Sequence, residues 1–137
     1  MIETTKEIYI KYPFPLRSNP EFDKIHIKWL ETMMRDKMGF DINSLKNKEI
    51  LDAGCGTGFK TVYLSKLGNK VTGVDQSKES LKYAENMAKK NNLRIEFIED
   101  NITTMNLKRK FDFIFTYGVI HHTTDAHKSF NNLCNHL

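Results

Sequence analysis

The sequence predicts an α/β protein in which a parallel β-sheet carries helices on both faces. Short apolar runs alternate along the chain with longer segments of helical periodicity, and this alternation is typical of parallel strands joined by crossover helices. A glycine-rich turn, Gly54 to Gly58, follows the first apolar run and precedes a helical segment. Asp52, Asp75 and Asp100 stand where three of the predicted strands end. Because ligands of such sheets bind beyond the carboxyl ends of the strands, these residues predict the place of a site.

The N-terminal segment, residues 1–44, is predicted to form an arm and one helix on the substrate side of that site. Met1 to Ser18 is irregular and places aromatic residues next to prolines, which favours an ordered arm or lid, with a disordered tail as the alternative. Asn19-Pro20-Glu21 is typical of a helix start and Gly39 of a helix end. The helix is predicted to bury an apolar stripe formed by Phe22, Ile25, Trp29, Met33 and Met38.

Four strands and three further helices are predicted after residue 45. The strands are short apolar runs, and capping residues or glycines mark the ends of the helices. The predicted strands are Glu49–Ala53, Lys70–Asp75, Arg94–Ile98 and Phe111–Phe115, and the predicted helices are Phe59–Leu67, 78–91 with Ser77 as its cap, and Thr123–Leu137. In the last helix we expect Phe130, Leu133, Cys134 and Leu137 to be buried.

Composition places the chain among ordinary globular domains. Its 137 residues are 39% hydrophobic and 28% charged with seven Gly and three Pro, which excludes collagen-like and Pro-rich linker sequences. No apolar run approaches the roughly 18 residues that a membrane helix needs. The first residues lack the layout of a signal peptide. We therefore expect a cytoplasmic protein that has no membrane partner.

Charge and cysteine content exclude other kinds of site. Lysine and arginine number 21 against 17 acids, a net charge of +4 that suggests nucleic-acid binding. Most cations, however, are lysines spread along the chain, and this favours a solvated surface over base or phosphate recognition. Two cysteines, Cys55 and Cys134, cannot build a disulfide scaffold or a four-cysteine zinc site.

The segment Gly54-Cys55-Gly56-Thr57-Gly58 indicates a ligand that lies close to the backbone. A dinucleotide-binding turn has its third glycine one residue later, where this chain has Phe59. The turn therefore favours a ligand without a diphosphate, and disfavours a nicotinamide-dependent oxidoreductase. Asp75 can accept both hydroxyls of a ribose, and Asp100 can accept from an adenine amino group, with a capping or turn role as the alternative for each.

Taken together, these segments resemble the class I S-adenosylmethionine-dependent methyltransferases, in particular the type that acts on small molecules. The resemblance covers about residues 45–137 and depends on Leu51 to Gly58, Val71 to Asp75, Glu99-Asp100, Phe111 to Ile114 and Gly118 to His122. It implies a Rossmann-like sheet with strand order 3-2-1-4, in a domain of residues 45–137 that binds S-adenosylmethionine. The family fold has seven strands ordered 3-2-1-4-5-7-6, so its last three strands are expected to be lacking.

The resemblance also implies a role for individual residues. Asp52 would lie near the ammonium group of the cofactor's methionine part, Gly54 and Gly56 would line that part, and Asp75 would bind the ribose. The family usually has an aliphatic residue after the ribose-binding acid, and Gln76 departs from that pattern. The other implied cofactor-binding residues are Cys55 and Gly58 in the turn, Gln76, Asp100, Asn101 and Ile102 around the adenine, and Thr116 and Tyr117 near the transferable methyl group.

His121 and His122 follow the fourth strand and are the candidates for catalysis. Imidazole titrates near neutral pH, so one of them can take a proton from an acceptor hydroxyl or amine. A structural role of His122 in its loop is the alternative. Both stand near His127, but no cysteine or acid lies at ligand spacing, and we predict no metal site.

The predicted function is methyl transfer from S-adenosylmethionine to an oxygen, nitrogen or carbon atom of a small molecule. One alternative is an RNA methyltransferase. Its phosphate-binding face would be formed by Lys89, Lys90, Arg94, Lys108, Arg109 and Lys110. Because only four strands are predicted, we expect a truncated chain, with a half-size protein completed by a partner or a non-catalytic cofactor-binding module as alternatives. The fourth strand, as a sheet edge with exposed aromatic residues, predicts a homodimer.

Overall fold

A computed structural model of the protein describes residues 7–8 and 20–137. The predicted arm, Met1 to Ser18, lies almost wholly outside these ranges, as does the predicted cap Asn19. From residue 20 onward the helices are α1 (Pro20–Met38), α2 (Phe59–Lys66), α3 (Lys78–Lys90) and α4 (Ala126–Cys134), and the strands are β1 (Glu49–Ala53), β2 (Lys70–Asp75), β3 (Glu96–Glu99) and β4 (Phe113–Phe115). Two 3-10 helices, Ile42–Ser44 and Ile120–His122, stand in the connections.

The four strands form one parallel sheet in the order β3-β2-β1-β4. In its register Asp52 of β1 lies beside Gly73 of β2 and Phe115 of β4, and Asp75 of β2 lies beside Glu99 of β3. The carboxyl ends of all four strands therefore meet along one edge of the sheet. The predicted α/β class and strand order are confirmed.

Helices pack on both faces of the sheet. Neighbouring residues of a strand point to opposite faces, and Ile50 and Leu51 of β1 accordingly belong to two separate apolar cores. The first core holds Leu30 and Met34 of α1 with Ile50, Leu64 of α2, Val71 and Phe115. The second holds Leu133 of α4 with Leu51, Val74, Ile102 and Met105.

Most predicted helix ends are confirmed within the described residues. The Ser77 side chain accepts from the Ser80 N–H at the start of α3. Gly39 and Gly68 have φ angles of 62° and 91° after α1 and α2, a conformation that favours glycine at helix ends. The last helix begins later than Thr123, because Asp125 caps it by accepting from the Lys128 N–H at 2.8 Å. No helix in the described ranges is both long and apolar enough to cross a bilayer.

The apolar stripe predicted for α1 is wrong in part. Ile25, Trp29 and Met38 are exposed, whereas Leu30 and Met34 are buried against the sheet. Met33 packs at the edge of the same core, as predicted. Two apolar stripes run side by side on this helix, and the spacing of apolar residues does not show which one faces the sheet.

The stripe predicted for α4 is also wrong, except for Leu133. Phe130 and Leu137 are 56% and 57% exposed and Cys134 is exposed, while Ser129 is fully buried. The Ser129 hydroxyl hydrogen-bonds to the hydroxyls of Thr103 at 2.7 Å and Thr123 at 3.0 Å. The face of α4 that meets the sheet is therefore partly polar, and a pattern of apolar residues does not find it.

Strand β4 is shorter and less exposed than predicted. The Asp112 carboxylate accepts from the Glu49 N–H at 2.8 Å, and the Phe111 N–H donates to the carbonyl of His136, so ladder pairing starts only at Phe113. Phe111 and Phe115 are buried. Phe113 stacks on Phe40 with ring centroids 5.6 Å apart. The predicted row of exposed aromatic residues is therefore wrong.

Candidate functional site

The turn between β1 and α2 is held against β2 through its backbone. The N–H groups of Gly54 and Cys55 both donate to the carbonyl of Val74, at 2.8 and 3.0 Å. Gly54 has a φ of 79°, and a Cβ at this position would lie 2.4 Å from Val119 Cγ2 in the segment after β4. Glycine is therefore required here twice, for its backbone conformation and for the close approach of another segment.

Asp75 ends β2 and joins the glycine turn to the next helix. One carboxylate oxygen accepts from the Gly56 N–H at 2.8 Å and the other from the Ser77 N–H at 2.9 Å. Burial raises the pKa of the Asp75 carboxyl, and the N–H donors of Ser77, Gly56 and Gln76 oppose this rise. A carboxylate has about four acceptor positions and these donors do not use all of them, so Asp75 can accept from a ligand as well.

Asp52 and Cys55 lie beneath the turn. The Asp52 carboxylate is 3% exposed and accepts from the Thr61 hydroxyl at 2.6 Å. Burial raises the pKa of Asp52 to about 6, against the opposing effects of the Thr61 hydroxyl and the Lys60 charge. Burial, followed by the charges of Asp52 and Asp75, raises the pKa of the Cys55 thiol well above its ordinary value. The thiol is therefore not a nucleophile in this structure.

The segment after β3 forms a tight turn on the other side of Asp75. The Asp100 N–H donates to the carbonyl of Asp75, and the Asp100 carboxylate accepts from the Asn101 N–H at 2.7 Å. The Asn101 side chain accepts from the Thr103 N–H at 2.9 Å. Ile102 is buried beside this turn. These bonds hold a carboxylate and an amide next to the ribose-binding candidate Asp75.

An aromatic pair stands at the opposite end of the site. Trp29 of α1 and Tyr117, which follows β4, meet edge to face with ring centroids 5.8 Å apart. The Lys60 ammonium lies 5.2 Å from the centroid of the Tyr117 ring. Trp29 and Tyr117 are 49% and 43% exposed. Both rings therefore keep apolar surface free to contact a ligand.

The two candidate catalytic histidines differ in position. Their rings lie 3.9 Å apart in the 3-10 helix after β4, and both side chains are exposed. His122 lines the pocket described below, and His121 does not. Within the described ranges, no group of three or more His, Cys, Asp or Glu side chains is arranged to hold a metal ion.

One pocket of about 770 Å³ collects these elements, a volume within the range usual for small-molecule sites. The predicted site residues that line it are Gly54, Cys55, Gly56, Asp75, Gln76, Asp100, Asn101, Ile102, Tyr117 and His122. Asp52, Gly58, Thr116 and His121 do not belong to the lining. The Thr116 hydroxyl is buried and has no hydrogen-bond partner in the part of the chain that the structure describes.

Several lining residues were not predicted. Ile25, His26 and Trp29 of α1 border the pocket, and so do Lys60 and Ser80. Lys60 could have been found, because a residue two places after the glycine turn must lie on the first turn of the next helix. The pattern of α1 gave no such signal, since ligand-facing and core-facing apolar residues look alike in a sequence.

A comparison of the sequence with models of protein families identifies the family of this chain. Residues 44–137 match the family model described as a methyltransferase domain. The chain belongs to the methyltransferase family. The match begins one residue before the range that the sequence resemblance covers, and it leaves α1 outside. The predicted family is therefore confirmed.

Sequence relatives support the same membership. The ubiquinone biosynthesis O-methyltransferase of Pelagibacter ubique (strain HTCC1062) is 34% identical over 106 residues, which are 76% of this chain and 44% of that protein. The protein of the same name from Rickettsia typhi (strain ATCC VR-144 / Wilmington) is 28% identical over 74% of this chain and 42% of its own length. The chain thus spans less than half the length of these relatives.

Solved structures agree in fold. An S-adenosylmethionine-dependent methyltransferase from Clostridium acetobutylicum ATCC 824 matches 95% of this chain and 50% of its own, at 27% identity and a TM-score of 0.64. The magnesium protoporphyrin IX methyltransferase of Synechocystis PCC 6803, solved with bound S-adenosylmethionine, matches 96% of this chain and 69% of its own. The identity to that enzyme is 18% and the TM-score 0.73, so the likeness shows the fold alone.

Proposed function

We propose that this chain binds S-adenosylmethionine in the pocket and provides the cofactor half of a methyl transfer to a small molecule. The observation that carries the proposal is the position of Asp75. Its carboxylate is bonded to the N–H of Gly56 in the glycine turn and lies in one pocket with Asp100. A nucleoside needs this combination: an acceptor for ribose hydroxyls, a close backbone, and a polar group for the base.

The residues present fit the cofactor along the strand order of the sheet. The ends of β3, β2, β1 and β4 follow one another along one edge. The adenine would lie by Asp100, Asn101 and Ile102 after β3, and the ribose by Asp75 at the end of β2. The methionine part would then cross the glycine turn after β1, and the methyl group would point towards Tyr117 after β4. Gly54 and Gly56 of that turn both line the pocket.

When bound, S-adenosylmethionine supplies a methyl group on a sulfonium that is ready for in-line displacement. The chain's own part is alignment and exclusion of water, which together are worth several kcal/mol in well-oriented reactions (about 7–11 at the upper end). Asp75 and the glycine turn would fix one end of the ligand. Trp29 and Tyr117 would shield the other with apolar surface.

A small-molecule acceptor is favoured by the place of α1 and by the names of the relatives. Helix α1 closes the pocket with Ile25 and Trp29, and it lies outside the residues that match the family model. We therefore propose that residues 1–44 supply the acceptor side and residues 45–137 the cofactor domain. The relatives act in ubiquinone biosynthesis as O-methyltransferases, which points to a hydroxyl as the accepting group.

The basic residues of the RNA alternative lie away from this pocket, and none belongs to its lining. Lys89 and Lys90 end α3, Arg94 precedes β3, and the other three precede β4, so the group lies towards the amino ends of these strands. Arg109 pairs with Glu96, and the Lys110 ammonium donates to the carbonyls of Asn135 and Leu137. A phosphate-binding face there would hold RNA away from the proposed methyl group.

His122 remains the proposed general base for a hydroxyl acceptor. Its ring lines the pocket beyond Tyr117, whereas that of His121 lies outside the lining. His122→Ala should keep cofactor affinity and lower turnover by about 10²-fold or more, and His121→Ala should change turnover little. Equal turnover of both variants and the wild type in an assay with a phenolic acceptor would assign the pair a structural role.

We also propose a homodimer along the outer edge of β4. This proposal is supported by the position of β4 at the edge of the sheet. Among the described strands β4 pairs only with β1, so the backbone groups along its outer edge have no strand partner among them. Unpaired edges recruit further strands. Short strands and buried aromatic side chains weaken such recruitment, and the dimer proposal therefore depends on the backbone edge alone.

Replacing Asp75 tests the proposed binding site. Asp75→Ala should weaken S-adenosylmethionine binding about tenfold or more, because hydrogen bonds to charged groups are worth about 1.5–3 kcal/mol each. Asp75→Asn, which keeps an acceptor for one N–H of the turn, should also weaken binding through the lost charge. The matched control is Asp36→Asn, an exposed acid on α1 paired with Arg35. Unchanged affinity by calorimetry, or tighter binding of NAD than of S-adenosylmethionine, would contradict the proposal.

A further inference from the structure

Lys60 lines the same pocket and carries a positive charge there. It stands in the first turn of α2, two residues after Gly58. Among the described residues, Lys60 alone contributes a lysine or arginine side chain to the pocket lining. Its ammonium lies 5.2 Å from the centroid of the Tyr117 ring. The cation is therefore directed towards the side of the pocket formed by β1 and β4.

The charges of the lining are separated along the edge of the sheet. The carboxylates of Asp100 and Asp75 stand at the ends of β3 and β2, and the Lys60 ammonium stands beyond the end of β1. With the nucleoside on the two carboxylates, the methionine part of the cofactor lies over the glycine turn. A cation at this place meets the one part of the cofactor that carries a carboxylate.

The glycine turn itself has few donors left for that carboxylate. The N–H groups of Gly54 and Cys55 donate to the Val74 carbonyl, that of Gly56 to Asp75, and that of Gly58 to the Cys55 carbonyl. A carboxylate brought into a partly buried pocket without donors would lose its hydration uncompensated. The Lys60 ammonium has three N–H donors on a flexible stem and can serve more than one acceptor.

We propose that Lys60 binds the carboxylate of the cofactor's methionine part and so positions the sulfonium beside Tyr117. The inference rests on the proposed function, since it assumes S-adenosylmethionine in this pocket. Tyr117 would guide the lysine, because a cation over an aromatic ring is attracted to its face. Lys60 would thus be a positioning residue that holds the ligand and takes no part in the transfer.

The test compares two ligands that differ only in this carboxylate, S-adenosylmethionine and decarboxylated S-adenosylmethionine, by calorimetry on the full chain. Lys60→Gln should weaken S-adenosylmethionine binding by about tenfold, the usual effect of losing a charged hydrogen bond, and leave the decarboxylated ligand unchanged. Lys60→Arg should restore part of the lost affinity. Lys66→Gln, which removes an exposed lysine from the last turn of the same helix, should leave both affinities as in the wild type.

Binding of the decarboxylated ligand by Lys60→Gln also shows that the variant is folded. The inference is overturned when Lys60→Gln binds S-adenosylmethionine as tightly as the wild type does, or loses affinity for both ligands equally with an unchanged unfolding transition. A wild-type chain that binds neither ligand contradicts the proposed function itself. The two failures are therefore distinguishable.

Discussion

Asp52 shows how the site affects stability at the scale of a single residue. Its carboxyl lies beneath the glycine turn, where burial raises its pKa from 3.8 to about 6. Between these two pH values the folded chain holds a proton that the unfolded chain has released. The folded state therefore binds more protons in this window, and the free energy of unfolding falls as the pH rises from about 4 to about 6.

Asp52→Asn should remove this dependence, because the amide has the same shape, still accepts from the Thr61 hydroxyl and does not titrate. The variant should gain stability relative to the wild type as the pH rises through the window, by up to about 3 kcal/mol. Urea unfolding at several pH values between 4 and 7 measures the difference. Asp36→Asn, on an exposed acid, is the control. Parallel curves for Asp52→Asn and the wild type would contradict the raised pKa.

The site residues that could be predicted from the sequence are those that lie at the ends of the strands. Asp75 and Asp100 follow short apolar runs, and parallel topology brings such ends together, so both line the pocket. Thr116 follows β4 directly and His121 belongs to the 3-10 helix after it, and both lie outside the lining. Which residue of a loop points inward depends on its backbone conformation, and the spacing of residues does not report this.

At the scale of elements, the glycine turn depends on contact with the segment after β4. Gly54 and Gly118 both have positive φ angles, 79° and 70°. A Cβ on Gly54 would lie 2.4 Å from Val119 Cγ2, whereas a Cβ on Gly118 would meet no atom within 4 Å. An alanine at either position therefore has the same unfavourable backbone conformation. Only an alanine at position 54 also clashes with another side chain.

Gly54→Ala should accordingly destabilise the chain more than Gly118→Ala does, by about 1–3 kcal/mol, the usual cost of overpacking. Val119→Ala should recover part of the difference in the Gly54→Ala background, because it removes the clashing methyl groups. Thermal or urea unfolding measures the free energy of unfolding of each variant. The wild type, Gly54→Ala, Val119→Ala and the double variant together form a double-mutant cycle. Equal destabilisation by the two glycine substitutions would show that the turn does not press on Val119.

The helices explain why element type was more predictable than element orientation. Ser77 and the glycines after α1 and α2 set helix ends through local bonds, so sequence alone located them. The rotation of α1 and α4 about their axes depends on tertiary partners. Trp29 was assigned to the core and borders the pocket, and Ser129, a polar residue, is buried through hydroxyl contacts on α4.

At the scale of the whole molecule, the outer edge of β4 predicts association. If the edge pairs with a second copy, light scattering after size-exclusion chromatography should give twice the 16.0 kDa mass of one chain. The mass should fall on dilution, because a three-residue strand offers few ladder bonds. A mass of one chain at every concentration tested would contradict the dimer.

In the proposed function, S-adenosylmethionine occupies the crevice at the carboxyl ends of the four strands. Amide chemical shifts of the ¹⁵N-labelled chain, titrated with S-adenosylhomocysteine, test it most directly. We expect saturable shifts at Gly54, Gly56, Asp100 and Tyr117. The shifts of Lys70 and Glu96, at the amino ends of β2 and β3, should stay unchanged. Absence of shifts at millimolar ligand, or shifts confined to the amino ends of the strands, would contradict it.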